Sequence, residues 1–468
     1  MSETPTTPEG TAGADEEKAW YQKPLNLIAL VVIAAVALFL AFGGFGDDDV
    51  IIDDPEEEPE ETVEEEEEEE EEAEEPEEEP EEEPEEAAPS GDGLTVAYIL
   101  PETGQLAFLG PPMISGVELA VSEIEEFGTE ISLLSGDEAG DTGVAAEEAS
   151  RVLAAGVDAI VGAAATGMTL AIIDQVTGAG VVQCSPSNTG PGLTDYPDGG
   201  FYFRTAPSDA LQGPVLAEQV IADGNATVAV AARADDYGQG LLDATVEAFE
   251  AQGGEVVYSD TYDPESQTFD SVVEDLVNSG ADAHVIIAFA EGGAIVQGLI
   301  AAGAPVDSLY GADGIAGAAF AEEVDPSDPN VLDGMTFTAP SSQSTSDFDA
   351  KMDEFRPDLV DRLFSPQSYD CTNLIALSAA VAGSTDSAAI RDQMIAVTLG
   401  DNECGSYPEC MEFVEAGESI AYQSAAGDAL AFMEVREGSG EPSRGAYDVS
   451  RWIDGEFTLL EVVTGTVG

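Results

Sequence analysis

The sequence is poor in cations and contains a single histidine. Its 468 residues include 97 Asp and Glu against 12 Lys and Arg, which gives a formal net charge of −85 at pH 7. Because binding to a phosphate backbone needs clustered Lys and Arg, nucleic acid is excluded as a partner. No lysine follows a glycine, so the sequence also lacks a phosphate-binding P-loop.

Residue types that support catalysis or metal binding are equally scarce. The single histidine excludes a multi-histidine metal site. A Ser/His/Asp triad would depend on this residue, His284, which lies inside an apolar run. An enzyme would need a nucleophile beside a positioned base, and the sequence offers no usable histidine for that role. We therefore predict a protein that is not an enzyme and that carries neither a cofactor nor a metal.

The four cysteines fit disulfides in a compartment outside the cytoplasm. Cys404 and Cys410 flank the turn-rich segment GSYPE and are predicted to close a short loop. Cys184 and Cys371 form either a second bridge or two buried thiols. A zinc site is disfavoured, because neither pair has the CxxC spacing and no histidine accompanies them.

An 18-residue apolar stretch, LNLIALVVIAAVALFLAF, follows a polar N-terminal segment. A helix of about 20 apolar residues spans the ~30 Å hydrocarbon core of a membrane. Since Lys18 and Lys23 precede the stretch, the positive-inside rule places residues 1–24 in the cytoplasm, residues 25–45 in the membrane and the rest outside the cell. The alternative is a signal peptide cleaved near Gly44, which would release a secreted protein.

An acidic segment, residues 46–92, separates the apolar stretch from the remainder of the chain. Asp and Glu occupy 29 of the positions between residues 47 and 86, interspersed with Pro and a few small or apolar residues. Such a segment cannot bury apolar surface and repels itself, so we expect a disordered, extended tether. A solubilising tail without a spacing role is the alternative.

The acid excess continues into the predicted globular head. Residues 87–468 hold 63 Asp and Glu against ten Lys and Arg. This charge repels itself strongly, and dissolved salt screens the repulsion. We therefore predict a halophilic host, or one with an acidic proteome.

Short apolar runs alternate with stretches of helical spacing from residue 94 onward. Strands are predicted at residues 94–100, 130–135, 158–163 and 180–185, and, after a break at 201–209, at 226–232, 255–259, 284–289 and 307–311. Helices are predicted at residues 110–127, 143–156, 166–180, 208–223, 238–252, 268–280 and 292–303. The strand spacing suits βαβ units, and strands that are apolar throughout indicate parallel sheets covered on both faces.

A third block, residues 341–436, is predicted to be largely helical, with its clearest helix at 369–383. Periodicity leaves open whether this block is separate or packs back on the first sheet. The fold class is therefore α/β, with two doubly wound parallel sheets in series.

Seven segments then occur in an order that resembles a known family. They are LPETGQLAFLG, GVELAVSEI, DAIVGAAATG, CSPSNTGPGLT, FRTAPSDALQG, DDYGQGL and YGADG. Over about residues 93–465 the chain resembles the extracellular solute-binding proteins of ABC transporters, specifically the branched-chain amino-acid (Leu/Ile/Val) binding family. The resemblance implies a type I periplasmic binding fold, in which two lobes joined by a three-crossing hinge close on a ligand. It places lobe 1 at residues 93–206 with 340–444, and lobe 2 at residues 207–339 with 445–468.

The candidate ligand-binding residues follow predicted strands, where open α/β sheets bind ligands near helix N-termini. They are Thr166, Ser187, Asn188, Thr189, Tyr237 and Asp313. Thr166 is expected to begin a helix whose free N–H groups and hydroxyl can hold a carboxylate, and a plain helix cap is the alternative. The Ser-Asn-Thr run has an ordinary polar turn as its alternative.

Roles for these residues come from the resemblance. It implies that the Ser187 carbonyl and the Thr189 hydroxyl grip the ammonium and carboxylate of an amino acid. Tyr237 would close over the ligand, and Asp313 would pair with its ammonium. At two positions this chain departs from the family pattern. Ala290 or Glu291 stands where the family has a ligand-contacting tyrosine, and Glu291 would favour a more polar ligand. Leu109 stands where the family has an aromatic residue. Arg204 is expected to be structural, near the hinge.

The expected function is therefore that of a membrane-anchored, extracellular binding component of an ABC importer. By the resemblance, it captures a small amino acid of the branched-chain type by lobe closure and delivers it to the permease. Binding of urea or a short-chain amide is an alternative, and so is a sensor ectodomain of the same fold.

Overall fold

The computed structural model describes residues 93–466, except 360, 428–431 and 437–438. The predicted cytoplasmic segment, membrane anchor and acidic tether, all within residues 1–92, lie outside the described residues. Across the described part of the chain, no helix combines the length and apolarity that a membrane crossing requires.

Strands and helices alternate through the first two thirds of the described chain. The strands are β1 Leu94–Ile99, β2 Ile131–Leu134, β3 Ala159–Gly162, β4 Val182–Ser185, β5 Tyr202–Arg204, β6 Thr227–Arg233, β7 Glu255–Tyr262, β8 Ala283–Ile287, β9 Leu309–Gly311, β10 Thr336–Pro340, β11 Asn402–Cys404, β12 Ile420–Tyr422, β13 Phe432–Arg436, β14 Ser439–Pro442, β15 Arg444–Ile453 and β16 Glu456–Thr466. The α-helices are α1 Gly110–Phe127, α2 Thr142–Ala155, α3 Thr166–Gly178, α4 Asp209–Ala222, α5 Asp236–Ala251, α6 Asp270–Ser279, α7 Gly292–Ala302, α8 Phe320–Val324, α9 Ser346–Phe355, α10 Ser365–Ala382, α11 Ser387–Met394 and α12 Tyr407–Glu415.

The predicted strands and helices are confirmed to within a few residues, because local signals mark their ends. Before α2, the Asp141 side chain accepts hydrogen bonds from the N–H groups of Gly143 and Val144. Such N-caps satisfy helix donors that otherwise lack partners. The predicted break at 201–209 differs from the structure, since it contains strand β5, which at three residues is too short to show a period.

The first sheet has the order β2-β1-β3-β4-β5-β14-β13. Its neighbours run parallel, except for the antiparallel pair β13 and β14. Strands β1, β3 and β4 are buried at every position, as expected for parallel strands covered by helices on both faces. The carboxyl ends of β3 and β4 therefore emerge side by side at one edge.

The second sheet has the order β7-β6-β8-β9-β10-β15-β16. It is parallel from β7 to β10, and the antiparallel strands β15 and β16 complete it. Each sheet thus forms the centre of one lobe of an α/β fold with parallel sheets.

The chain passes between the two sheets three times: after β5, after β10 and between β14 and β15. Asp448 on β15 fastens the second and third crossings together. It accepts hydrogen bonds from the Ser341 hydroxyl at 2.6 Å and from the Ser342 N–H at 3.0 Å. The lobe boundaries at residues 206, 340 and 444 stay predictions.

The third block packs on the first lobe, which answers the question that periodicity left open. Helix α10 contacts α1, α11 and α12. A Cβ atom at Gly116 of α1 would overlap the carbonyl oxygen of Ser365, so the two helices approach more closely than a larger residue would allow. Most of α10 is buried, including Asp370 and Asn373, which explains why its pattern is not that of a surface helix.

All four cysteines are paired. The bond between Cys404 and Cys410 confirms the predicted short loop. The other two cysteines form a bond from Cys184 on β4 to Cys371 on α10, which decides between the two alternatives in favour of a bridge. This second bond ties the third block to the strand that precedes the Ser187–Thr189 segment.

Candidate functional site

A small cavity lies between the two lobes, beyond the carboxyl ends of β3, β4 and β9. It is lined by Leu106, Leu109, Ala165, Thr166, Ser187, Thr189 and Phe364 from the first lobe and by Tyr237, Phe289, Asp313 and Gly314 from the second. Its volume of about 20 Å³ has room for little more than a water molecule. An amino acid therefore needs the lobes to stand farther apart than they do in this arrangement.

On the first lobe, Thr166 is the first residue of α3, as predicted, rather than its cap. The preceding residue, Ala165, has a left-handed backbone (φ 63°) and provides no side-chain cap. The N–H groups of the first helical turn have no acceptors within the helix and point toward the cavity end of α3. The Thr166 hydroxyl accepts the N–H of Gly190 at 3.1 Å, which couples the helix to the neighbouring loop.

Ser185 holds the Ser187–Thr189 segment in place, because its hydroxyl accepts hydrogen bonds from the N–H groups of Ser187 and Asn188. The Ser187 hydroxyl has no hydrogen-bond partner among the described residues. The Asn188 side chain accepts the hydroxyl of Tyr202 at 2.9 Å and is not part of the cavity lining. The structure thus brings five of the six predicted residues to one cavity, with Asn188 directed elsewhere.

Arg204 supports the same segment, in agreement with its predicted structural role near a crossing. Its fully buried guanidinium pairs with Glu441 on β14. It also donates to the Gly190 carbonyl at 3.0 Å and to the Thr194 hydroxyl at 2.9 Å. A buried ion pair with its remaining donors satisfied holds the loop in one position.

On the second lobe, Asp313 and Tyr237 form one hydrogen-bonded unit. The Asp313 carboxylate accepts the Tyr237 hydroxyl at 3.0 Å and the Gln212 amide at 2.8 Å. Burial raises the pKa of Asp313 to about 6, although these two hydrogen bonds act in the opposite direction. Burial, followed by the charge of Asp313, raises the pKa of Tyr237 well above its usual range, so its hydroxyl remains a donor. A ligand cation beside Asp313 favours the ionised form of this carboxyl.

A second buried acid, Asp209, interacts with Asp313 and was missed from the sequence, although it is not part of the cavity lining. Its carboxylate is fully buried, and the Thr189 hydroxyl of the other lobe interacts with it. Burial, and after it the negative charge of Asp313, raises the pKa of Asp209 well above its usual range, while the Thr189 hydroxyl and the charge of Arg204 act in the opposite direction. Its backbone N–H donates to the Thr189 carbonyl of the other lobe at 2.8 Å. An acid in the first turn after the Ser208 cap has the pattern of an ordinary helix start, which hid its role.

Of these two acids, Asp313 lines the cavity, where a ligand cation can pair with its carboxylate. A buried acid without a partner is costly unless it is neutralised or paired. The opposite side of the cavity presents a helix N-terminus, which favours an anion. The site is therefore polarised, negative on the second lobe and positive on the first.

The remaining wall of the cavity is apolar. It consists of Leu106, Leu109, Phe289 and Phe364. Phe289 stacks on Tyr237 with ring centroids 5.3 Å apart. The guanidinium of Arg233 lies over the Phe289 ring, 3.5 Å from the centroid of that ring. Phe364, which comes from the third block, also escaped the sequence analysis, because only packing brings that block to the site.

Glu291 has a different position from the one that sequence reasoning suggested. It pairs with Arg233 at 2.9 Å and accepts the Tyr262 hydroxyl at 3.1 Å and the Phe289 N–H at 3.2 Å. It is not part of the cavity lining. The expectation of a more polar ligand therefore loses its basis. Glu291 instead positions Phe289, directly through its backbone N–H and indirectly through Arg233.

Comparison with known proteins places this geometry in a family. The periplasmic binding protein family model matches residues 93–411. A Leu/Ile/Val-binding protein homolog 3 of Brucella melitensis is 26% identical over 376 residues, which cover 79% of this chain and 94% of the relative.

Solved structures with the same fold include two amino-acid-binding proteins. The substrate-binding protein LivJ of Streptococcus pneumoniae, a branched-chain amino acid transporter component in complex with isoleucine, has a TM-score of 0.65 at 23% identity and covers 80% of this chain and 100% of its own. The leucine-binding protein LivK of Thermotoga maritima has a TM-score of 0.64 at 20% identity, with 79% and 98% coverage. At these identities the likeness shows the fold.

Proposed function

Because the chain belongs to the periplasmic binding protein family, we propose that its lobes close on a small apolar α-amino acid of the branched-chain type. The ligand is then delivered to an ABC permease. Support comes from the Brucella melitensis relative, named a Leu/Ile/Val-binding protein homolog, and from the LivJ structure with isoleucine. The apolar wall of the cavity suits an aliphatic side chain.

The observation that carries this proposal is the buried Asp313 carboxylate opposite a helix N-terminus. The ligand ammonium pairs with Asp313, the acid that lines the cavity. The carboxylate lies at the start of α3, with the hydroxyls of Thr166 and Thr189. Tyr237 keeps Asp313 oriented through its hydrogen bond.

Closure follows from where these groups reside. Each charged end of the ligand is held mainly by a different lobe, so the closed state gains contacts that the open state cannot make. Ligand binding therefore shifts the population toward closure by its differential affinity for the two states. Release into a permease requires the lobes to separate again, and no covalent step takes part.

A thermal-shift panel tests the ligand class. The panel contains glycine, alanine, valine, leucine, isoleucine, aspartate, acetamide and urea. A ligand present at 100 times its dissociation constant adds about 2.7 kcal/mol to the stability of the folded state. We expect the aliphatic amino acids to raise the melting temperature. Shifts with acetamide or urea and none with amino acids would contradict the proposal and favour an amide-binding protein.

Replacing Thr166 by Ala is expected to weaken binding of the best amino acid by about 1–2 kcal/mol, or roughly 5- to 30-fold. The loss is modest because the backbone N–H groups of α3 remain. Thr177→Ala, at the far end of the same helix, is the control and should bind normally. Calorimetry measures both variants, and unchanged affinity in Thr166→Ala would place the carboxylate elsewhere.

We also propose that residues 25–45 anchor the protein in the cell membrane, with the N-terminus in the cytoplasm and the binding head outside. The apolar stretch and its preceding lysines support this topology. The protein should remain in washed membranes, and external protease should release the head by cutting between residues 47 and 90. Mature protein in the medium beginning near Gly44 would instead indicate a cleaved signal peptide.

The acidic head is expected to become more stable as salt rises from 0.1 to 1 M NaCl. Over this range the Debye length falls from about 10 Å to about 3 Å, which screens the repulsion among surface carboxylates. The melting temperature of the ligand-free protein measures the effect, with sucrose as a control for general solvent exclusion. A flat or falling melting temperature would argue against adaptation to a halophilic setting.

A further inference from the structure

Glu138 is a buried acid of the first lobe that lies outside the cavity lining. It follows β2, and its side chain is fully buried. Its backbone is fixed on both sides: its N–H donates to the Leu100 carbonyl at 3.3 Å, and its carbonyl accepts the Asp141 N–H at 2.9 Å. One carboxyl oxygen accepts the Ala164 N–H at 3.0 Å, and the other has no hydrogen-bond partner among the described residues.

The segment that Glu138 contacts is the one that presents Thr166 to the cavity. Ala165 adopts a left-handed backbone, which is unfavourable for a residue other than glycine, and it offers no side chain to cap α3. At Gly162 a Cβ atom would overlap the carbonyl oxygen of Ile99, so the segment is also tightly packed against β1. Ala164 lies between these two constrained positions, and its N–H is held by Glu138.

The charges around Glu138 do not stabilise its ionised form. Burial, with a smaller contribution from the negative charge of Asp137, raises the pKa of Glu138 well above its usual range, while the Ala164 N–H lowers it. The acids of the neighbouring helix α2 are engaged elsewhere. Asp141 caps that helix, and Glu148 pairs with Arg151. No positive charge contributes to the pKa of Glu138.

We propose that Glu138 is a positioning residue of the carboxylate subsite: by accepting the Ala164 N–H it holds the Ala164–Thr166 segment ready for a ligand carboxylate. The inference rests on the proposed amino-acid function. Glu138 contacts Ala164, which precedes Thr166 by two residues. An ionised Glu138 would therefore place a buried negative charge close to the subsite and would repel the ligand carboxylate. The protonated form avoids this repulsion and still accepts the Ala164 N–H.

Two acids then control ligand affinity in opposite directions. At low pH, protonation of Asp313 removes the partner of the ligand ammonium and weakens binding. As the pH rises through the pKa of Glu138, its ionisation weakens binding again, by up to about tenfold per pH unit, because one proton is taken up with each ligand. The affinity is therefore greatest at pH values between the pKa of Asp313 and the pKa of Glu138.

The test compares the wild-type protein with Glu138→Gln, which retains an acceptor for the Ala164 N–H but cannot ionise. Calorimetry with L-isoleucine is run from pH 5.5 to 9. We expect similar affinities near pH 6 and tighter binding by Glu138→Gln at the highest pH, with the acid-side loss unchanged. Glu138→Ala should bind less tightly than Glu138→Gln at every pH, because it cannot accept the Ala164 N–H, and Glu147→Gln, an exposed acid on α2, should follow the wild type.

The melting temperature without ligand provides an independent measurement. A native pKa above the unfolded value makes stability fall as pH rises between the two values. The difference between the melting temperature of Glu138→Gln and that of the wild type should therefore increase, in favour of the variant, from pH 5 to 8. Parallel pH profiles of affinity for the two proteins would overturn the proposal, and so would equal melting temperatures throughout.

The proposed function can fail separately from this inference. If L-isoleucine binds neither protein at any pH, the ligand class is wrong. The same profiles are then measured with whichever compound of the thermal-shift panel does bind. A compound with a carboxylate should reproduce the effect of Glu138→Gln. A neutral ligand whose binding shows the same dependence on Glu138 would overturn its assignment to a carboxylate subsite.

Discussion

Asp313→Asn is expected to weaken amino-acid binding by about 2–5 kcal/mol, or roughly 30- to several-thousand-fold, because it leaves a buried ammonium without its ionised partner. The change keeps the shape of the side chain, and asparagine can still accept the hydrogen bonds of Tyr237 and Gln212. The charge is therefore the main property removed. The loss should be larger than that of Thr166→Ala, since no neighbouring backbone group replaces a carboxylate.

Calorimetry with the best amino acid of the thermal-shift panel measures this loss. Asp275→Asn, which removes an exposed acid from α6 of the same lobe, controls for the change in net charge. Both variants should retain the wild-type melting temperature to within a few degrees in the absence of ligand. If Asp313→Asn binds with wild-type affinity, the ammonium lies elsewhere or the ligand is uncharged.

Removing the bond between Cys184 and Cys371 is expected to lower the free energy of unfolding by about 5 kcal/mol. In the chain-entropy model, the stabilisation by a disulfide grows with the length of the loop that it closes. This bond spans a sequence separation of 187 residues. Both sulfur atoms are buried between β4 and α10, so replacement by alanine also leaves unfilled space in the core.

The second disulfide provides a matched control within the same chain. The bond between Cys404 and Cys410 spans a separation of six residues, for which the same model gives about 2 kcal/mol. Urea denaturation of the two double-alanine variants measures both values. A larger loss for the short loop than for the long one would show that local strain or packing, and not chain entropy, governs these bonds.

The charge, the alternation of strands and helices and the helix starts could be predicted because they depend on neighbouring residues. Helix α1 has its predicted bounds, and Thr166 begins α3 as expected. Candidate site residues such as Asp313 could be found because parallel sheets bind ligands beyond the carboxyl ends of their strands. The short Cys404–Cys410 loop is local in the same sense. The helix starts and the short disulfide depend on partners within a few residues along the chain, and Asp313 was found from its position after a strand.

Contacts between distant segments required the tertiary structure. In the sequence Asp209 has the pattern of an ordinary first-turn acid, and only the fold shows that it is fully buried and interacts with Asp313. The sequence suggests that Glu291 could contact a ligand, but in the fold it forms an ion pair with Arg233. Phe364 reaches the cavity only because the third block packs on the first lobe. Periodicity reports which face of an element is buried, whereas a binding site depends on which distant elements meet there, and the packing of the whole chain decides that.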